Sequence, residues 1–124
     1  MQIRFEFKEA VCILRLEGRF ATGGDWDYLN SKTGELVAAG CRNVIADFSS
    51  VPYIDSAGLG FVVQLYRRFT RERGGQFALL NPNPRVRQAL DITRLTSVLP
   101  IFEGEQTALA AMKNAEEREL SDAN

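Results

Sequence analysis

The residues best placed to do chemistry lie in one run, Asp55-Ser56-Ala57-Gly58-Leu59-Gly60, where a loop after an apolar strand turns into a helix. A serine at a helix start can accept from the free backbone N–H groups of the first turn, so Ser56 reads first as an N-cap. The same unpaired donors, together with the positive end of the helix dipole, suit an added phosphate, which makes Ser56 a candidate phosphoacceptor. Gly58 and Gly60 lack side chains and would let another protein's backbone or a nucleotide approach closely. Asp47 and Asp55 are the nearby carboxylates. As a pair they would allow acid–base chemistry, but each has a simpler role as a turn or cap residue.

Composition removes most other chemistries. The chain of 124 residues contains no histidine, which excludes histidine bases, histidine metal ligands and a histidine phosphorelay within it. Two cysteines, Cys12 and Cys41, make neither a disulfide framework nor, with no other soft ligands nearby, a zinc site. Cys12 lies in an apolar run and reads as core. No metal and no cofactor are expected. Fifteen basic against sixteen acidic residues give a net charge of −1, too little field to gather nucleic acid or anionic lipid. The N-terminus lacks a signal pattern, and no apolar run approaches the roughly 18 residues of a membrane helix. The expected setting is therefore the cytoplasm, without membrane insertion.

The elements that must position Ser56 follow from hydrophobic period. Ile3, Phe5 and Phe7 alternate with Arg4 and Glu6, the pattern of a strand with one wet face. After a turn at 8–10, the apolar run 11–16 reads as a more central strand paired with the first and ending at Gly18. Ala21-Thr22-Gly23-Gly24 is turn-like, and a helix with Asp25 as a possible cap carries Trp26, Leu29, Leu36 and Val37 until Gly40. Residues 44–48 form a short buried strand, and 49–54 lead into the Ser56 helix. On that helix Leu59, Val62, Val63, Tyr66 and Phe69 fall on one stripe expected to pack on the sheet. Arg67, Arg68, Arg71 and Arg73 load its C-terminal half before Gly74-Gly75 stops it. A strand at 76–80, a loop at Asn81-Pro82-Asn83-Pro84, a short helix at 85–90, a possible short strand at 99–102 and a helix at 105–117 complete the order. The expectation is a single α/β domain over 1–112, a mixed β-sheet of four to five strands flanked by about four helices. A charged tail at 113–124 is expected to fray.

The run from Val44 to Gly60, with Asp47 near the strand end, then Val51, Tyr53, Ile54 and Asp-Ser-Ala-Gly-Leu-Gly, resembles the signature of the STAS family, which joins sulfate transporters and anti-sigma factor antagonists. The resemblance covers about 5–112. It includes the opening hairpin, Gly18, Gly74-Gly75 and the stretch Asn-Pro-Asn-Pro-Arg-Val-Arg-Gln-Ala-Leu. It implies a sheet flanked by helices and, for a stand-alone member, a partner-switching role. The unmodified protein would bind an anti-sigma factor serine kinase, phosphorylation of Ser56 would end that binding, and a serine phosphatase would reset it. Asp55 would fix the loop or orient the hydroxyl, while nucleotide, Mg²⁺ and general base would belong to the kinase. The chain would be a substrate and not an enzyme, a monomer or weak dimer. Members resembling this chain often carry an aspartate three residues after the glycine matching Gly18. Here that position is Ala21, with Asp25 as a substitute if the loop folds back.

Helical spacing places Phe61 opposite the expected buried stripe, beside Ala57, Gln64 and Arg68. It is either an exposed anchor for a partner or a side chain covered by a neighbouring helix or loop. Tyr53 and Pro52 carry the same two readings. The partner-binding set is thus Tyr53, Asp55, Ala57, Gly58, Phe61 and Gln64. A receiver domain built on Asp47 lacks the early acidic pair, since Gly18-Arg19-Phe20-Ala21 supplies none. The arginines have no interleaved aromatic platform for nucleic acid. The remaining rival is a cytoplasmic STAS subunit that docks on and regulates a membrane transporter.

Overall fold

The chain opens with a hairpin, β1 (Gln2–Lys8) against β2 (Val11–Glu17), antiparallel with Lys8 opposite Val11. Its two-residue turn is Glu9-Ala10, both at positive φ (51° and 66°), the left-handed pair that matches strand twist in a tight hairpin. In the computed structural model residues 1–19 and 25–122 are described, except for the side chains of Asp25 and of 119–122. The expected turn at 21–24, the Ala21 position and the proposed capping or substitute role of the Asp25 side chain lie outside the described residues.

Helix α1 (Asp25–Ala38) leads to β3 (Asn43–Ser50), then α2 (Ser56–Arg67) and β4 (Gln76–Leu80). Helix α3 (Pro84–Ile92), a two-residue β5 (Ile101–Phe102) and α4 (Glu105–Asp122) follow. The strands lie in the order β1-β2-β3-β4-β5, with every pair after the hairpin parallel. This is the expected mixed five-stranded sheet with four helices.

Strand β2 is buried on both faces, and its alternation explains why its sequence is almost continuously apolar. Cys12, Leu14 and Leu16 join the larger core with Leu29 and Leu36 of α1, Val62 and Leu65 of α2, and Val86 and Leu90 of α3. Val11 and Ile13 face the other way and, with Ile45, Ala78 and Leu80, receive Ala108, Leu109 and Met112 of α4. Helix α4 is longer than the 105–117 expected. Glu116 accepts from the Asn43 side chain at 3.0 Å and pairs with Arg42 at 3.7 Å. The start of the charged stretch is therefore docked helix where fraying was expected.

Two further expectations are corrected. The buried side chains of α2 are Phe61, Val62 and Leu65, with Gly58 beneath them, while Leu59, Val63 and Tyr66 are only partly covered. The helix is thus rolled by about one residue from the expected stripe, because Phe61 meets Trp26 of α1 edge to face at a centroid distance of 5.4 Å. The second concerns Cys12 and Cys41. Both are buried, as core cysteines should be, but they are joined in a disulfide that ties β2 to the segment after α1. Their separation of 29 residues hid the pair, since only the β2–α1–β3 topology brings them together. Cross-linking a loop of roughly 30 residues restricts the unfolded chain by about 3–4 kcal/mol. Reduction with a phosphine is accordingly expected to lower the urea midpoint of the wild type, and to leave a Cys12→Ala/Cys41→Ala double variant unmoved.

Candidate functional site

The site is assembled at the end of the sheet where β3 gives way to α2. After β3 the chain crosses from Val51 to Ile54 with both ends buried and Pro52 exposed between them. Asn83 clamps this crossing. Its Nδ2 donates to the Val51 carbonyl at 3.2 Å, while its Oδ1 accepts from Val86 N–H at 2.8 Å and so caps α3. Pro84 at the first helical position completes that start, so α3 begins one residue earlier than the expected 85. Tyr53 is part-buried with the Arg85 guanidinium 5.1 Å above its ring, a cation–π contact that orients the crossing from its outer side.

Asp55, not Ser56, is the N-cap of α2. Its backbone is extended, and its Oδ1 accepts from Gly58 N–H at 2.9 Å. This corrects the capping expectation and changes what Ser56 is available to do. Ser56 is the first residue of the helix, exposed, and its hydroxyl has no hydrogen-bond partner among the described residues. The N–H groups of Ser56 and Ala57 have no intrahelical acceptor at this position. A phosphate on the Ser56 oxygen would therefore sit at a helix N-terminus beside free donors. Ala57 is part-buried and Gln64 exposed, on the outer side of the helix. Gly58 is buried and held by the cap, so Gly60, exposed and with open space where a Cβ would stand, is the glycine that permits close approach. Phe61, at 2% exposure, resolves to the covered alternative and is not accessible as an anchor.

Behind the crossing lies a polar network that composition did not reveal. Asp47 Oδ1 accepts from Ser49 N–H (2.9 Å) and Ser49 Oγ (2.6 Å), and its Oδ2 accepts from Arg15 (2.9 Å). Asn81 donates to Ser49 Oγ at 3.1 Å, carrying the link to β4. Burial pushes the Asp47 carboxyl up, but the Ser49 hydroxyl and N–H and the Arg15 guanidinium outweigh it and hold the group below its ordinary value. With its oxygens so engaged, Asp47 serves as a structural anion, which counts against both the receiver and the paired-carboxylate readings. Arg15 also bonds Glu6 (2.9 Å) and Glu105 (2.7 Å), joining β1, β2, β3 and α4 at one cation. The bond from Arg15 lowers Glu6, and bonds from Lys8 and then Arg15 lower Glu105.

These shifts set an acid limit. A carboxylate whose folded value is lowered favours the folded state at every pH above the ordinary range near about 4, and the contribution disappears as pH falls through the lowered value. Between pH 5 and pH 3 the urea midpoint is therefore expected to fall. An Arg15→Leu variant should start lower at pH 7, by on the order of 1 kcal/mol after solvent screening, and fall less steeply with acid. An unchanged pH slope would show that the cluster does not control acid stability.

Among the described residues no group of three or more cysteine, aspartate and glutamate side chains is placed to hold a metal ion, and no helix is long and apolar enough to cross a membrane. Comparison with known proteins adds the family. The STAS domain model matches residues 2–108. The anti-sigma F factor antagonist of Paenibacillus polymyxa is 27% identical over 114 residues, covering 91% of this chain and 96% of that protein. Among solved structures, TM1081 of Thermotoga maritima superposes with a TM-score of 0.83 at 23% identity, covering 90% of this chain and 94% of that one. The anti-sigma factor antagonist SpoIIAA in its unphosphorylated form gives 0.72 at 21% identity, covering 91% and 97%. The Bacillus cell fate determinant SpoIIAA in its phosphorylated form gives 0.67 at 21% identity, covering 89% and 98%. With a hairpin-led mixed sheet, a capped helix presenting Ser56, and a family match spanning most of its length, the chain belongs to the STAS domain family.

Proposed function

We propose that this protein is an anti-sigma factor antagonist that works as a phosphorylation-controlled binding module in the cytoplasm. Unmodified, it binds an anti-sigma factor kinase. Phosphorylation at Ser56 releases it, and a serine phosphatase restores it. The observation that carries the reading is the exposed Ser56 hydroxyl, relieved of capping by Asp55 and set at the N-terminus of α2. The name of the Paenibacillus relative and the two phosphorylation forms of SpoIIAA support it.

In the transfer step the Ser56 oxygen bonds to the γ-phosphorus of ATP, its proton passes to a base of the kinase, and ADP leaves. This chain supplies the acceptor and its geometry and no catalytic group. Helix α2 holds the acceptor rigid, because Phe61 on Trp26 and the Asp55 cap fix both the roll and the start of the helix. The new group adds about −1.5 to −2 charge to a surface that must pack closely against the partner. In a reducing cytoplasm Cys12 and Cys41 would rest as buried thiols, and the fold would depend on its apolar clusters.

The test is affinity capture from the source cells with wild type, Ser56→Ala and Ser56→Asp as baits. The reading expects an ATP-binding kinase on Ser56→Ala and its absence from Ser56→Asp. Capture of the same membrane-transporter subunits by all three baits would replace it with the transporter-docking role.

A further inference from the structure

The outer face of α2 carries an unbroken exposed stripe that starts at Ser56 and runs through Gly60, Gln64, Arg67 and Arg71. No acidic residue lies on it. A groove opens along this face, lined by Gly60, Val63, Gln64, Arg67, Arg68 and Glu72, with a volume of about 550 Å³. The missing side chain at Gly60 gives it room at the Ser56 end. None of Arg67, Arg68 and Arg71 forms an ion pair or a side-chain hydrogen bond among the described residues. Arg4, Lys8 and Lys32, by contrast, are paired with Glu17, Glu105 and Glu35.

Helix-dipole complementarity accounts for Arg71 but not for Arg67. That effect is confined to the last turn of a helix. Helix α2 does not stop at Arg67 but continues as a π-helical segment, Arg68–Glu72, so Arg67 lies well inside the combined helix. π-helical turns are uncommon and concentrate at functional sites.

We infer that the arginine end of this stripe is a second docking point for the kinase, which meets it with an acidic surface while its active site holds Ser56. The inference rests on the switch reading and adds the charge of the partner. Arg67 is eleven residues beyond Ser56, about 16 Å along the helix. That is about twice the screening length of physiological salt, so a phosphate on Ser56 leaves the arginines available. The two ends then act separately. The arginines steer and hold the acidic surface, and the phosphate acts only on the close-packed contact at the Ser56 end.

The kinase recovered on Ser56→Ala, once purified, is the probe. It is titrated with Ser56→Ala and with Ser56→Ala/Arg67→Glu/Arg71→Glu at 50 mM and 500 mM salt, with thermal melts to show that both chains are folded. The expected result is at least a tenfold loss of affinity for the charge-reversed chain at low salt, carried mainly by the association rate and much reduced at high salt. Equal affinity and equal salt dependence for the two chains would overturn the inference and leave the Ser56 switch standing. If Ser56→Asp binds this kinase as tightly as Ser56→Ala, the switch itself fails and the inference with it. A fluorescent single-stranded RNA that binds the wild type, competes with the kinase and is lost on charge reversal would assign the stripe to nucleic acid and also overturn it.

Discussion

Replacing Ser56 by aspartate, or phosphorylating it, is expected to weaken binding of the proposed kinase partner by about 30-fold or more while leaving the fold as stable as before. The size follows from placing an unpaired charge in a close-packed interface, where a lost or mismatched charge costs about 2–5 kcal/mol. The unchanged stability follows from position. Ser56 is exposed at the first turn of α2, where a negative group complements the helix dipole by about 0.3–1 kcal/mol. A melting temperature equal to or slightly above wild type would therefore accompany the lost affinity. Ser56→Ala should melt like wild type as well, since the cap that matters for the helix is Asp55. Isothermal titration of the purified partner with each variant, read beside its melting curve, separates a switch from a folding defect. A Ser56→Asp chain that loses affinity only because it unfolds would contradict the account.

Gly75→Ala is expected to be strongly destabilising. The backbone just before β3 passes so close that a Cβ at Gly75 would fall inside the Arg42 carbonyl. That carbonyl accepts from Gln76 N–H at 3.2 Å as part of the β3–β4 connection, so it cannot swing away without breaking the ladder. Gly75 N–H itself donates to the Phe69 carbonyl at 2.8 Å and closes the π-helical segment. A loss of about 3 kcal/mol or more is expected in urea unfolding, by overpacking against backbone. The control is Gly60→Ala. Its added Cβ meets nothing within 4 Å, and alanine in a helix interior gains up to about 1 kcal/mol over glycine, so the sign should reverse. Equal effects at the two sites would remove close packing as the reason for the glycine at 75.

How far these features could be read from sequence depended on whether they were local. Strand β2 and the Ser56 helix were legible because hydrophobic period and a polar start signal are properties of consecutive residues. The Glu9-Ala10 turn was placed within one residue, although its left-handed pair contains neither glycine nor asparagine and so gave no turn-type signal. The roll of α2 was not legible. Two overlapping stripes, one through Leu59 and Tyr66 and one through Phe61 and Leu65, both satisfy helical spacing, and Trp26 on α1 decides between them. The cap was missed for a related reason. Asp55 and Ser56 are both good caps, and the choice depends on which residue remains extended. Asn83 could have been found, since asparagine before proline at a helix start is a recognised signal, but its second role on Val51 needed the fold. The Arg15 cluster and the Cys12–Cys41 bond join residues far apart in the chain, and no pattern in the sequence announces them.

The most direct test of the central claim is intact-mass spectrometry of the chain after incubation with its captured kinase and Mg·ATP, followed by peptide mapping. The account predicts one added phosphate on the wild type, mapped to Ser56, and none on Ser56→Ala. Phosphate on Ser56→Ala, or on Ser49 or Ser50 of the wild type with Ser56 unmodified, would contradict it.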